Sequence, residues 1–101
     1  MAHKNKLSNN LPHHLYEIRD KSDDDVFKYG ISSEPLGADG LSKRIRQQLR
    51  LLNLVDNWKR FFANILLKNI PGRKKAKEIE RKYIREYEEK HGQKPRGNLD
   101  E

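Results

Sequence analysis

No cysteine occurs among the 101 residues. That excludes a disulfide framework, a thiolate zinc site and a cysteine nucleophile, and it leaves the redox compartment undefined. No stretch approaches the roughly 20 apolar residues of a membrane span, and the N-terminus carries no apolar signal core. The opening Met1-Ala2-His3-Lys4 reads as the start of an excised domain rather than a targeting segment. Internal repeats and long low-complexity stretches are absent. Acidic residues are in deficit, 15 against 22 Lys and Arg, for a net charge of +7. Hydrophobic residues make up 34% and charged residues 37%, a polar balance that stops short of disorder. The length allows one domain with a thin core, since domains run to about 50–250 residues. A small basic domain of this kind points to a polyanionic partner.

The positive charge is segregated. Residues 1–30 carry five basic and five acidic groups, and residues 76–101 carry seven of each, so both ends cancel. Residues 31–75 carry ten basic groups against three acidic ones, Glu34, Asp39 and Asp56. A charge run is ordinarily a solvated face. A segregated cluster with few counter-charges also suits phosphate contacts.

Residues 1–12 are polar, end at Pro12 and read as a loose N-terminal arm, leaving 13–101 as the single domain. His14 to Arg19 alternates and is rich in strand formers. Asp20 to Asp25 reads as a turn, and Val26 to Ser32 as a second strand forming an antiparallel hairpin with the first. Ser33 to Gly40 is an irregular loop. From Leu41 the period changes: Leu41, Ile45, Gln48, Leu49 and Leu52 share one helical stripe, giving an amphipathic helix to about Leu54. Phe61 to Leu67, following Asn57-Trp58, is an apolar run too short for a buried helix and reads as a third, largely buried strand. Arg73 to about Lys90 is a second helix with Ala76, Ile79, Tyr83, Ile84 and Tyr87 on one face and Gly92 as its stop. The tail is extended or looped. The expected fold is α+β: a small three-stranded antiparallel sheet flanked by helices, in the order β-β-α-β-α.

Function is best sought where this pattern breaks. Glu80 falls one turn after Ala76 and one turn before Ile84, on the apolar face. A carboxylate there needs an ion-pair partner or a bound cation, because burying it alone costs several kcal/mol. Arg44 adjoins the apolar stripe of the first helix one turn before Gln48 and is either a solvated helix residue or part of a site. Tyr16 and the pair Lys28/Tyr29 lie on adjacent strands, where a tyrosine most often packs in the core. His13 and His14 are poor joint metal ligands, since neighbours on a strand point to opposite faces. His91 near a helix end suits the helix dipole.

Together these positions resemble the GIY-YIG (URI-fold) nuclease superfamily over His14 to Asn98. The family's first strand ends in Gly-Ile-Tyr; here it is His14-Leu15-Tyr16, with the tyrosine kept and the glycine lost. Its second strand carries Tyr-Ile-Gly followed, one residue on, by Thr or Ser; here it is Lys28-Tyr29-Gly30-Ile31-Ser32, with Lys28 where the second tyrosine belongs. Its first helix opens Leu-x-x-Arg-Ile, matched by Leu41 to Ile45, and a His that often follows is Gln48 here. Ala76, Glu80 and Ile84 match the second helix, and Pro95-Arg96-Gly97-Asn98 the closing segment. Size, basic middle and the Lys-Tyr-Gly-Ile-Ser variant look most like the URI-type nuclease modules at the C-termini of bacterial polymorphic toxins.

The resemblance implies a metal-dependent endonuclease, DNase rather than RNase by expectation with RNA left open. Glu80 would hold Mg²⁺ or another divalent cation such as Mn²⁺. Arg44 would pair with the scissile phosphate, and Tyr16 would act as general base or position the water. A tyrosine base needs its pKa lowered by nearby cations. Lys28 could supply this if it faces the site, with Tyr29 in the core; a bulge that slips the strand would make Tyr29 catalytic instead. Asn98 would orient groups from the C-terminal segment. Lys43, Arg46, Arg50, Arg73, Lys74 and Lys75 would be phosphate contacts. A toxin module of this type implies a cognate immunity protein and delivery into a target cell as part of a larger protein, with no membrane partner. The other reading is a noncatalytic nucleic-acid-binding module with the same fold.

Overall fold

A computed structural model describes residues 9–56 and 60–99. Chain order is β1 (Pro12–Asp20), β2 (Asp25–Ser32), α1 (Lys43–Asp56), β3 (Phe61–Pro71), α2 (Arg73–His91) and a 3₁₀ turn at Arg96–Asn98. The three strands form one antiparallel sheet in the order β2-β1-β3. This is the α+β, β-β-α-β-α architecture expected from the sequence.

The core follows from the period of two along the central strand. Leu15 packs with Ile31, Ile70 and Ala76 on the face covered by α2. Tyr16 and Ile18 pack with Ile45 and Phe61 on the face covered by α1. The sheet is thus sandwiched between two helices, each burying one apolar stripe.

Several boundaries differ from the sequence expectation, each for a local reason. The first helix begins at Lys43 rather than Leu41, because Ser42 caps it: the Ile45 N–H donates to the Ser42 hydroxyl at 3.3 Å. Asp20 and Asp25 are paired strand ends, not turn residues, and the turn is the four residues between them, with Asp24 in the left-handed region. β3 runs four residues past Leu67, since β1 supplies partners as far as Pro12 opposite Pro71. It is also an edge strand, so only Phe61 and Ile70 are buried rather than most of its length. α2 ends as expected at Gly92, which is left-handed and donates its N–H to Glu88 at 2.8 Å. Part of the tail, expected to be extended or looped, closes into the 3₁₀ turn at Arg96–Asn98.

Residues 1–8 of the expected arm, and Asn57-Trp58-Lys59 before β3, lie outside the described residues. Asn9 is buried and its carbonyl accepts the Arg73 N–H at 2.8 Å, tying the chain before β1 to the start of α2. No described helix is long and apolar enough to cross a membrane.

Candidate active site

The β1–β2 register decides which side of the second strand faces Tyr16. Tyr16 pairs with Gly30 and Ile18 with Lys28. Antiparallel partners project to the same face, so Lys28 shares the Tyr16 face. A bulge opposite Ile18/Arg19 leaves Phe27 without a partner of its own. It lies before Lys28 and does not slip the residues after it. Tyr29 therefore points the other way, edge-on to Tyr83 with ring centroids 5.5 Å apart. Of the two alternatives left open by the sequence, the structure brings Lys28 to the Tyr16 side and Tyr29 to the α2 side.

Tyr16 is 1% exposed, yet its ring reaches the edge of the sheet because residue 30 is glycine. A Cβ at Gly30 would collide with Cζ and the oxygen of the phenol. From α1, the Gln48 amide donates to the Tyr16 hydroxyl at 2.9 Å, and the Gln48 carbonyl accepts from the Lys28 ammonium at 3.3 Å. One side chain thus bridges the two strand residues. Arg44, one turn earlier, also acts on the Tyr16 hydroxyl through its charge. Its backbone N–H donates to the Glu34 carboxylate at 3.2 Å.

Glu80 comes from α2 and is 3% exposed. Lys77, three residues earlier and so on the same side of the helix, lies 3.3 Å from its Oε1. An ion pair, one of the two options for this misplaced carboxylate, is therefore present. These elements enclose a cleft of about 60 Å³ lined by Tyr16, Lys28, Gly30, Ile31, Arg44, Arg73, Lys77 and Glu80. Gly30 and Ile31 face opposite sides of β2, so the cleft sits over the strand edge, where groups from both helices meet.

The cleft's electrostatics are one-sided, with four cationic side chains around a single carboxylate. Burial pushes the Tyr16 phenol above its ordinary pKa, and the Glu80 charge adds to this. The Gln48 hydrogen bond and the Arg44 charge pull the other way without reversing it. Arg44 therefore acts on this phenol in the direction a nearby cation should, but desolvation outweighs it, and the hydroxyl is protonated at neutral pH.

Of the remaining residues singled out from the sequence, Arg73 reaches the cleft and the others lie elsewhere. Asn98 is buried on the outer edge of β2, where its side-chain oxygen accepts the Tyr29 N–H at 2.8 Å and its amide donates to the Tyr29 carbonyl at 3.0 Å. It closes the strand edge next to Lys28 and does not line the cleft. Gly97 allows that closure, since a Cβ there would sit 2.8 Å from the Lys28 Cβ. Arg73 lines the cleft. Lys43, Arg50, Lys74 and Lys75 are exposed outside it, and Arg46 is held at 2.8 Å by Asp39. His13 and His14 are buried, each with Nε2 unpartnered among the described residues, and both border a hollow of about 260 Å³. No group of three or more His, Asp or Glu among the described residues is placed to hold a metal ion.

The sequence reading gave no role to Gln48, Lys77 or the phenol's dependence on Gly30. Gln48 carried a usable signal: it is a polar residue on the apolar stripe of α1, as Glu80 is on α2.

A three-stranded antiparallel sheet between two helices, with Tyr16, Arg44 and Glu80 delivered to one strand edge, defines a URI-fold domain of the GIY-YIG nuclease kind. The chain belongs to the URI fold toxin 2 family, whose model matches residues 5–92. No curated protein and no solved structure matches the chain.

Proposed function

We propose that this domain is a metal-dependent endonuclease, a DNase, that acts as the C-terminal toxin module of a larger bacterial effector and is neutralised by a cognate immunity protein. The observation that carries the reading is the convergence of Tyr16, Lys28, Arg44 and Glu80, from two strands and two helices, on one small cationic cleft. A phosphodiester entering it meets Arg44, Lys28 and Arg73, whose charges suit the developing negative charge on the phosphoryl oxygens.

The donor set fits a single divalent cation. Glu80 is the one carboxylate lining the cleft, and Mg²⁺ is commonly held through one or two carboxylates together with waters and substrate oxygens. Glu80 would hold Mg²⁺, or Mn²⁺, in place of its contact with Lys77. When bound, such an ion neutralises phosphoryl charge and assists the leaving oxygen. The phenol of Tyr16 accepts the Gln48 amide, which leaves its own proton free to direct toward the cleft. As the neutral phenol it orients the attacking water; it accepts the water's proton only as the phenolate, once cationic charge has lowered its pKa and its own proton has passed to solvent. Lys28, held by the Gln48 carbonyl, stays beside it.

The test is incubation of the protein with plasmid DNA and with RNA, with and without Mg²⁺. We expect Mg²⁺-dependent cleavage of DNA, lost on chelation. Glu80→Gln and Arg44→Ala should each lower the rate by about 10²-fold or more while leaving the circular dichroism spectrum unchanged. Binding of nucleic acid without cleavage, unaffected by Glu80→Gln, would instead establish the noncatalytic module, for which the replacement of the second motif tyrosine by Lys28 is the supporting observation.

A further inference from the structure

A second groove, of about 360 Å³, opens beside the cleft and shares Lys77 and Glu80 with it. Its wall is α2: Lys77, Arg81 and Arg85 lie at four-residue intervals, one stripe with about 6 Å between successive cations along the helix axis. Lys94 from the C-terminal segment completes the opposite side, and Ile84 gives an apolar floor. Glu88, toward the C-terminal end of α2, is the one carboxylate in the groove besides Glu80. Arg81 and Arg85 are exposed and form no ion pair among the described residues. Charge counting along the chain missed this surface, because residues 76–101 are neutral in sum, whereas the groove gathers Lys77, Arg81, Arg85 and Lys94 against Glu80 and Glu88.

We infer that this groove is the track for the sugar–phosphate backbone flanking the scissile phosphate. One strand of nucleic acid runs from the cleft along α2 over Lys77, Arg81, Arg85 and Lys94. The inference rests on the nuclease reading for its direction, since it extends the same site. It places the flanking contacts on α2 rather than on Lys43, Arg46 and Arg50 of α1. The contacts are to phosphates and carry no base preference.

The experiment measures binding of the full chain to a fluorescein-labelled DNA duplex in chelator, where no cleavage occurs, across a range of salt. Each lost phosphate contact lowers the slope of log K against log salt by about 1. Arg81→Ala/Arg85→Ala should lower it by about 2, Lys82→Ala on another face of α2 should leave it unchanged, and Arg81→Lys/Arg85→Lys should restore it. With Mg²⁺ present, the double alanine variant should raise KM and keep kcat. A double alanine variant with the wild-type slope, or one no different from Lys82→Ala, overturns the track. Failure of the wild-type chain to cleave any nucleic acid overturns the nuclease reading instead, and leaves the salt slope free to decide the track.

Discussion

Tyr16 shows how one residue's role is set by neighbours that have no chemistry of their own. Its ring occupies the space a side chain at residue 30 would fill, and its hydroxyl takes its orientation from Gln48. Gly30→Ala drives a Cβ into the phenol. On the nuclease function proposed above, displacing the Tyr16 hydroxyl by about 1 Å should lower cleavage by about 10²-fold. Overpacking should cost roughly 1–3 kcal/mol in stability; nuclease assays and thermal melts on the same sample separate the two effects. Gln48→Leu tests the hydroxyl directly. The Gln48 hydrogen bond lowers a phenol pKa that burial raises, so removing it moves that pKa further up. The onset of tyrosinate absorbance from Tyr16 should then shift to higher pH, assigned by difference from Tyr16→Phe. The rising limb of the pH–rate profile should shift the same way. An unmoved limb would separate the rate from the state of this phenol.

At the scale of elements, α1 delivers Arg44 to the cleft and Gln48 to the Tyr16 and Lys28 side chains that line it, and its first turn depends on Ser42. That side chain is fully buried and accepts from the Ile45 N–H. Ser42→Ala should cost about 1 kcal/mol, read as a lower denaturant midpoint with an unchanged slope. Activity should fall with the loosened first turn, because Arg44 is its second residue. Elements were the most legible feature of the sequence: the change from period two to the helical period at Leu41, the Ala76/Ile84 stripe and the stop at Gly92 place all five in order. Boundaries were less legible where the deciding contact is remote in the chain. β3 extends to Pro71 because of Pro12 and His13, and Ser42 acts as a cap because the helix starts two residues later than its apolar stripe. Within the site, Glu80 and Arg44 stood out as pattern breaks. Lys28 could be chosen over Tyr29 only from the register of β1 against β2, which a single chain of letters does not encode.

The whole molecule is tied together at a point the sequence reading took for a turn. Asp20 is fully buried at the end of β1. Its carboxylate accepts Arg60 Nε and Nη2 at 2.8 Å each, Arg96 Nη2 at 2.9 Å, and the Ser22 N–H and hydroxyl at 2.9 and 2.7 Å. One anion thus joins the centre of the sheet to the chain entering β3 and to the 3₁₀ turn whose Asn98 closes β2. The Arg60 hydrogen bonds, opposed by burial and helped by Ser22 and Arg96, hold its pKa far below the usual carboxylate range. Because the folded state binds the proton more weakly than the unfolded chain, Asp20 stabilises the fold fully above the unfolded carboxylate pKa of about 3.9. That contribution drains away as the pH falls below it. Wild-type stability, followed by denaturant titration from pH 7 down to pH 3, should decline over the lower part of that range. Asp20→Ala removes the anion that Arg60, Arg96 and Ser22 share, while Arg96 keeps its ion pair with Asp23. It should cost roughly 1.5–3 kcal/mol at neutral pH through the lost charge-assisted hydrogen bonds, and the difference between variant and wild type should shrink as the medium is acidified. Removing Arg96 alone should cost less, since that guanidinium is partly solvated and Arg60 keeps its two bonds to Asp20. It should also loosen the 3₁₀ turn and expose the Tyr29 amide to hydrogen exchange. If the gap between Asp20→Ala and wild type stayed constant from pH 7 to pH 3, the carboxylate would owe its place to packing rather than to charge.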